Sequence, residues 1–149
     1  MHSEYERMVV ENWSNAVRVA SHAFDTWEAQ VVSALRSESD EIRSAAVATI
    51  NEADSAKHRR AILELCADSS TLVLGEVLEY LGEFGEIEDS PKILHMSELG
   101  ASAFDVTYAL SKLIPDGPGT VDDEDSDERI LEMLADWKTE ISKHVGGAA

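Results

Sequence analysis

Side chains able to do chemistry are abundant in this sequence, but few are spaced to do it together. Asp123, Asp125 and Asp127 alternate as the first ligands of a calcium loop do. Such a loop needs Gly at its sixth position and a bidentate acid at its twelfth, and here these are Glu128 and Leu134. The stretch therefore reads as a solvated acidic connector, extended by like-charge crowding, with Asp125 as the N-cap of the following helix and Glu128 three residues on. The histidines, His2, His22, His58, His95 and His144, are scattered with no pairing suited to a metal. Cys66 is the only cysteine, so no intrachain disulfide forms, and its place in Ile62-Leu63-Glu64-Leu65-Cys66 suits a small packed hydrophobe. There is no Gly-x-Ser-x-Gly elbow, phosphate loop or dinucleotide fingerprint. No catalytic residue, metal or cofactor is expected, and the role that follows is non-enzymatic.

The charge balance carries more. The 149 residues hold 30 acids against 12 bases, a formal net charge of −18. Phosphate contacts require clustered Lys and Arg, so nucleic acid and anionic membrane surfaces are poor partners. Between Arg60 and Lys92 there is no basic residue, yet Glu64, Asp68, Glu76, Glu79, Glu83, Glu86, Glu88 and Asp89 all fall there. On a helix turning about 100° per residue, Glu76, Glu79 and Glu83 share an arc of roughly 60°, nearly opposite Val73, Val77, Leu81 and Phe84. No Lys lies four residues after Glu76, Glu79 or Glu83 to support that helix. The expectation is an unneutralised acidic ridge facing away from the core. Glu76, Glu79, Glu83 and Glu86, with Glu52, Asp122 and Asp123, are the candidate partner-binding residues.

The elements that must position these residues are helical. No Gly or Pro occurs before Gly75, and Ala, Glu, Leu and Arg recur throughout. Tyr5, Val9, Trp13, Val17, Ala20 and Phe24 mark one face of a long first helix, and Trp27, Val31, Val32 and Leu35 begin a second. A polar turn, Ser37 to Asp40, ends in Asp40 as N-cap, and Ile42, Ala45, Ala46 and Ile50 form the next apolar face. The pattern then repeats. Val31, Val32 and Leu35 map to Ile62, Leu63 and Cys66 and then to His95, Met96 and Leu99, while Ile42, Ala46 and Ile50 map to Val73, Val77 and Leu81 and then to Val106, Leu110 and Ile114. Polar turns recur at Asp68 to Ser70 and Gly100 to Ser102. The fold class is therefore all-α: a short α-solenoid of about three helix–turn–helix repeats with flanking N- and C-terminal helices. As a single domain it divides into an N-terminal helix (1–26), three repeats (27–114), an acidic connector (115–127) opened by Pro115-Asp116-Gly117-Pro118-Gly119, and a capping helix (128–145) striped by Ile130, Leu134, Trp137 and Ile141. Gly146 to Ala149 are expected to fray.

The segment Val31 to Ile50, "VVSALRSESDEIRSAAVATI", resembles one HEAT repeat, with Asp40 and Arg43 near positions where that family often carries an acid and an Arg. The stretch Val77 to Leu94, "VLEYLGEFGEIEDSPKIL", is similar to the bacterial short HEAT-like, armadillo-type form, in which Leu-Gly-x-Leu-Gly ends one unit and a Pro-containing turn opens the next. The resemblance spans about Trp27 to Ile114, and its third copy departs from the pattern, lacking the Asp/Arg pair and placing His95 in an apolar slot. In such a stack the second helix of each pair lines the concave surface, so the resemblance implies an acidic inner wall. Ala45, Ala48 and Glu52, equivalent to the ridge positions, would give that wall a shallow floor. Some HEAT-like proteins are DNA-repair glycosylases, but these need a basic inner surface, the opposite of this one.

These readings converge on a protein-binding module for a basic protein, monomeric when free. Its most concrete form is an immunity-type inhibitor of a cationic, nuclease-like toxin; the alternative is a scaffold or regulatory adaptor of a larger complex, and a third, lesser reading is a HEAT-like enzyme with a carboxylate pair in the concavity. With no apolar run of about 20 residues and no signal-like start, the expected location is the cytoplasm.

Overall fold

The computed structural model describes residues 2–145, and Gly146 to Ala149, expected to fray, lie outside them. Among the described residues there are helices and connecting turns and no strand, in agreement with the all-α class. Helices α1 (Glu4–Glu11) and α2 (Trp13–His22) replace the single long N-terminal helix expected from the sequence. The break is at Asn12, whose backbone is extended (φ −164°, ψ 103°). Its N–H ends α1 on the Met8 carbonyl, and its side-chain oxygen accepts from the Asn15 N–H at 3.0 Å to open α2. Asn offers the backbone a local alternative to the helix ladder, and the cap it makes offsets the lost turn. A second break at Ala23 starts α3 (Phe24–Ala34) three residues before the expected Trp27.

Helix α4 (Asp40–Glu52) is the centre of the first half. Every residue from Ser44 to Ile50 is buried, and α1, α2 and α3 all pack against it. A helix enclosed on all sides must also satisfy its polar side chains. Thr49 Oγ1 donates to the Ala45 carbonyl at 2.8 Å and shares a 2.8 Å bond with the buried Tyr5 hydroxyl, while Trp13 Nε1 donates to Ser44 Oγ at 3.1 Å. Ala45 and Ala48 are among the buried residues, so they pack as core and do not form an open floor. The cap of α4 is Ser39, whose hydroxyl accepts from the Ile42 N–H, and not Asp40, which is already helical and accepts from Ser70 Oγ at 2.8 Å. Ser is as good a cap as Asp, and the turn geometry selects between neighbours.

The second pair is α5 (Arg59–Leu63), continued by a 3₁₀ turn (Glu64–Ala67), and α6 (Thr71–Phe84). The third is α7 (Ser90–His95), continued by a 3₁₀ turn (Met96–Leu99), and α8 (Ala103–Leu113). Gly100, at φ 102°, closes the latter turn in the left-handed region that favours glycine. Here the expected register of the third copy fails: His95 and Leu99 are exposed, and Ile93 and Met96 are the buried residues. Ile93 follows Ile62 by the same 31 positions that separate Ile62 from Val31, whereas Val73, Val77 and Leu81 precede the buried Val106, Leu110 and Ile114 by 33. Two residues are thus inserted in the turn between the paired helices, which a single shift applied to both could not register.

By internal contacts the chain forms two compact units that divide within α6, between Tyr80 and Leu81. In the first, Arg43 joins the first repeat to the second. Its guanidinium grips Asp68 through two bonds of 2.8 and 3.0 Å and donates to the Ser37 and Glu38 carbonyls, with both side chains largely buried. Asp68 in turn accepts from the Ser70 N–H at 2.9 Å, setting the chain at the start of α6. In the second unit α7 and α8 pack together and α9 (Asp127–Val145) packs on both. Trp137 of α9 is fully buried and donates from Nε1 to the Gly119 carbonyl at 2.7 Å. The cap of α9 is Ser126, accepting from the Arg129 N–H at 3.2 Å, rather than Asp125, whose carboxylate instead accepts from the Asp122 N–H at 2.9 Å.

Candidate functional site

Helix α6 turns Val73, Leu74, Val77, Leu78, Tyr80 and Leu81 inward and leaves Glu79 and Glu83 exposed, as its periodicity predicts. Glu76 is different. It is half-buried, and burial pushes its carboxyl up to about 7, with the neighbouring charges of Glu79 and then Glu52 adding to the rise. Burial disfavours the ionised form, and two further carboxylates make it worse. Glu52, at the end of α4, reaches this group from another helix of the same unit. Among the described residues none of Glu52, Glu76 and Glu79 has an ion-pair partner. The arrangement is a concentration of negative charge, part of it desolvated, in which none of the three acids is ion-paired among the described residues.

The other expected site residues are engaged. Glu83 in the last turn of α6 is paired with Lys112 of α8, so the ridge is neutralised at that position by a base 29 residues away. Glu86 lies beyond the end of α6, and its side chain accepts from the Asp89 N–H in a capping box around the short 3₁₀ turn Ile87–Asp89. In the connector, Asp123 accepts from Ser102 Oγ at 2.7 Å and from the Phe104 N–H at 3.1 Å. Asp122 accepts from the Glu124 N–H at 2.9 Å. The connector is therefore a hydrogen-bonded turn tied to the start of α8 and not an extended strand of repelling charges. Backbone N–H donors meeting each carboxylate offset the repulsion. Among the described residues no group of three His, Cys, Asp or Glu side chains is placed to hold a metal ion, and no helix is long and apolar enough to cross a membrane.

Sequence reasoning passed over Phe104 and Tyr108. Both are exposed, 40% and 47%, one turn apart on α8 and opposite its buried Val106 and Leu110. Their spacing of four, out of phase with the apolar face, was the available signal.

No curated protein and no solved structure matches the chain significantly. Residues 28–113, well over half of the 149, match the family of HEAT repeats, and that span contains the three helix pairs almost in full. The chain belongs to the HEAT repeat family, whose repeats commonly serve protein–protein interaction or scaffolding.

Proposed function

We propose that this protein is a non-enzymatic binding module that engages a basic protein through the carboxylates of Glu52, Glu76 and Glu79. Glu83, Glu86, Asp122 and Asp123, all in the second unit and all engaged within the chain, add only to the net negative charge that draws a basic partner in. The observation that carries the reading is Glu76, whose burial, together with the neighbouring charges of Glu79 and Glu52, raises its carboxyl to about 7, and which has no ion-pair partner among the described residues. A lysine or arginine supplied by a partner relieves that repulsion, so the interaction is favoured in the complex by what is unfavourable in the free protein. The net charge of −18 adds long-range steering, which accelerates association at low salt. The most concrete version is an immunity-type inhibitor that covers the cationic surface a nuclease-like toxin uses for its own anionic substrate, acting in the cytoplasm as a monomer until it meets its target.

A raised carboxyl is also what a general acid needs. The neighbours of Glu76 that shift it are, however, two more carboxylates, and among the described residues its side chain is hydrogen-bonded to no His, Ser or Cys. Acceptance of a cation fits that environment better than proton transfer.

The test is the association rate with the partner captured from the native cell, measured for the wild type and for Glu76→Lys/Glu79→Lys across about 0.05 to 0.5 M salt. Wild type is expected to slow by an order of magnitude or more, and the variant, if it melts as wild type does, to be slow throughout. An unchanged rate in the variant refutes the site, and a rate indifferent to salt favours the scaffold alternative.

A further inference from the structure

In the second unit the outer face of α8 presents a different kind of surface. Phe104 and Tyr108 lie with ring centroids 5.6 Å apart and planes tilted by 37°. Exposing two aromatic rings on one turn forfeits the burial that such side chains ordinarily provide. The ring of Tyr108 already accepts a cation: Lys112 Nζ sits 5.6 Å from its centroid while paired with Glu83. Among the described residues no cation of this chain sits over Phe104.

Two carboxylates lie at the same end of α8. Asp123 is pinned beside Phe104 by the Phe104 N–H at 3.1 Å and by Ser102 Oγ at 2.7 Å, one bond to each oxygen, and each oxygen keeps a lone pair for a further donor. Asp105 follows Phe104 in sequence and lies three residues before Tyr108, within reach on the same side of the helix. Its carboxylate has no hydrogen bond or ion pair among the described residues and is pushed above the usual carboxylate range by burial and by Asp123. An aromatic face beside two carboxylates, one of them held in place, is complementary to a planar cation. Arginine fits both parts at once, since its guanidinium stacks on an aromatic ring while its edge N–H groups bind carboxylates. The compact, strongly hydrated ammonium of lysine fits the ring less well.

We propose that Phe104, Tyr108, Asp105 and Asp123 form a docking site for an arginine in a basic segment of a partner protein, the guanidinium stacking on Phe104 and donating to Asp105 and Asp123. The proposal rests on the reading that the partner is basic, but on side chains separate from Glu52, Glu76 and Glu79.

The experiment uses the full chain and two probes, a Gly-Arg-repeat peptide and a Gly-Lys-repeat peptide of equal length, at about 0.15 M salt, with affinity from calorimetry and location from backbone NMR shifts. The Arg peptide is expected to bind roughly fivefold more tightly than the Lys peptide, with shifts at Phe104, Tyr108 and Asp123. Phe104→Ala/Tyr108→Ala should abolish the preference while leaving the melting temperature and the weaker Lys binding in place, and Phe104→Trp should preserve it. Glu76→Gln/Glu79→Gln should weaken both peptides alike and leave their ratio unchanged, which separates failure of this site from failure of the acidic ridge. Equal binding of the two peptides by wild type, binding of neither, an Arg preference surviving in the double alanine variant, or dimerisation through this face would each overturn the proposal.

Discussion

Glu76→Gln removes a charge that the free fold holds at a cost. The folded-state carboxyl titrates near 7 against an ordinary value of 4.5, so between those two pH values the native protein binds more protons than the unfolded chain. Stability contributed by this group therefore falls as pH rises through that window and is fully lost above it, the reverse of the ordinary salt-bridged acid. At 1.36 kcal/mol per pH unit the full linkage is about 3 kcal/mol. Glu76 keeps part of its contact with water, and screening reduces this to about 1–2 kcal/mol. Glutamine keeps the shape and cannot ionise, so the variant should exceed wild type by that amount at pH 8 and match it at about pH 4. For a chain of this length the gain is about 3–6 °C in melting temperature. Paired urea and thermal melts of the two proteins across that range, compared as differences, isolate Glu76 from the other titrating acids. A variant no more stable than wild type at pH 8, or a gain that persists undiminished at pH 4, would refute the account of Glu76 as a desolvated and repelled carboxylate. High salt should shrink the part owed to Glu79 and Glu52 and spare the part owed to burial.

Two further outcomes follow from the packing. Arg43→Met leaves Asp68 without its bidentate partner and the Ser37 and Glu38 carbonyls without a donor, and should lower stability by about 3 kcal/mol in urea unfolding, while Arg43→Lys should recover only part of that loss. Gly117→Ala places a Cβ into the ring of Trp137, so the connector or the ring must move, and a loss of about 1–3 kcal/mol together with a shifted Trp emission should be seen.

The amino-acid sequence by itself determined that the chain is helical, that its helices pair into repeats and which face α4, α6 and α8 bury, because the 3.6-residue period is a local property that apolar spacing reports directly. Val73, Val77 and Leu81 are buried and Glu79 and Glu83 exposed for that reason alone. Its limits were also local. The break at Asn12 keeps the four-residue apolar spacing in phase, so a stripe running straight through it looked like one helix. The choice between Ser39 and Asp40, or Ser126 and Asp125, as caps turned on backbone angles that neighbouring cap-forming residues share as possibilities. The two-residue insertion in the third repeat moved Ile93 and Met96 inward in place of His95 and Leu99, which only packing could reveal. Tertiary structure decided the electrostatics of the candidate site. Whether an acid is exposed, desolvated or neutralised depends on groups far away in the chain: Lys112 on Glu83, Glu52 on Glu76, Ser102 and the Phe104 N–H on Asp123. Charge acts through space across a few ångströms, and the sequence lists its charges without stating which of them the fold brings together.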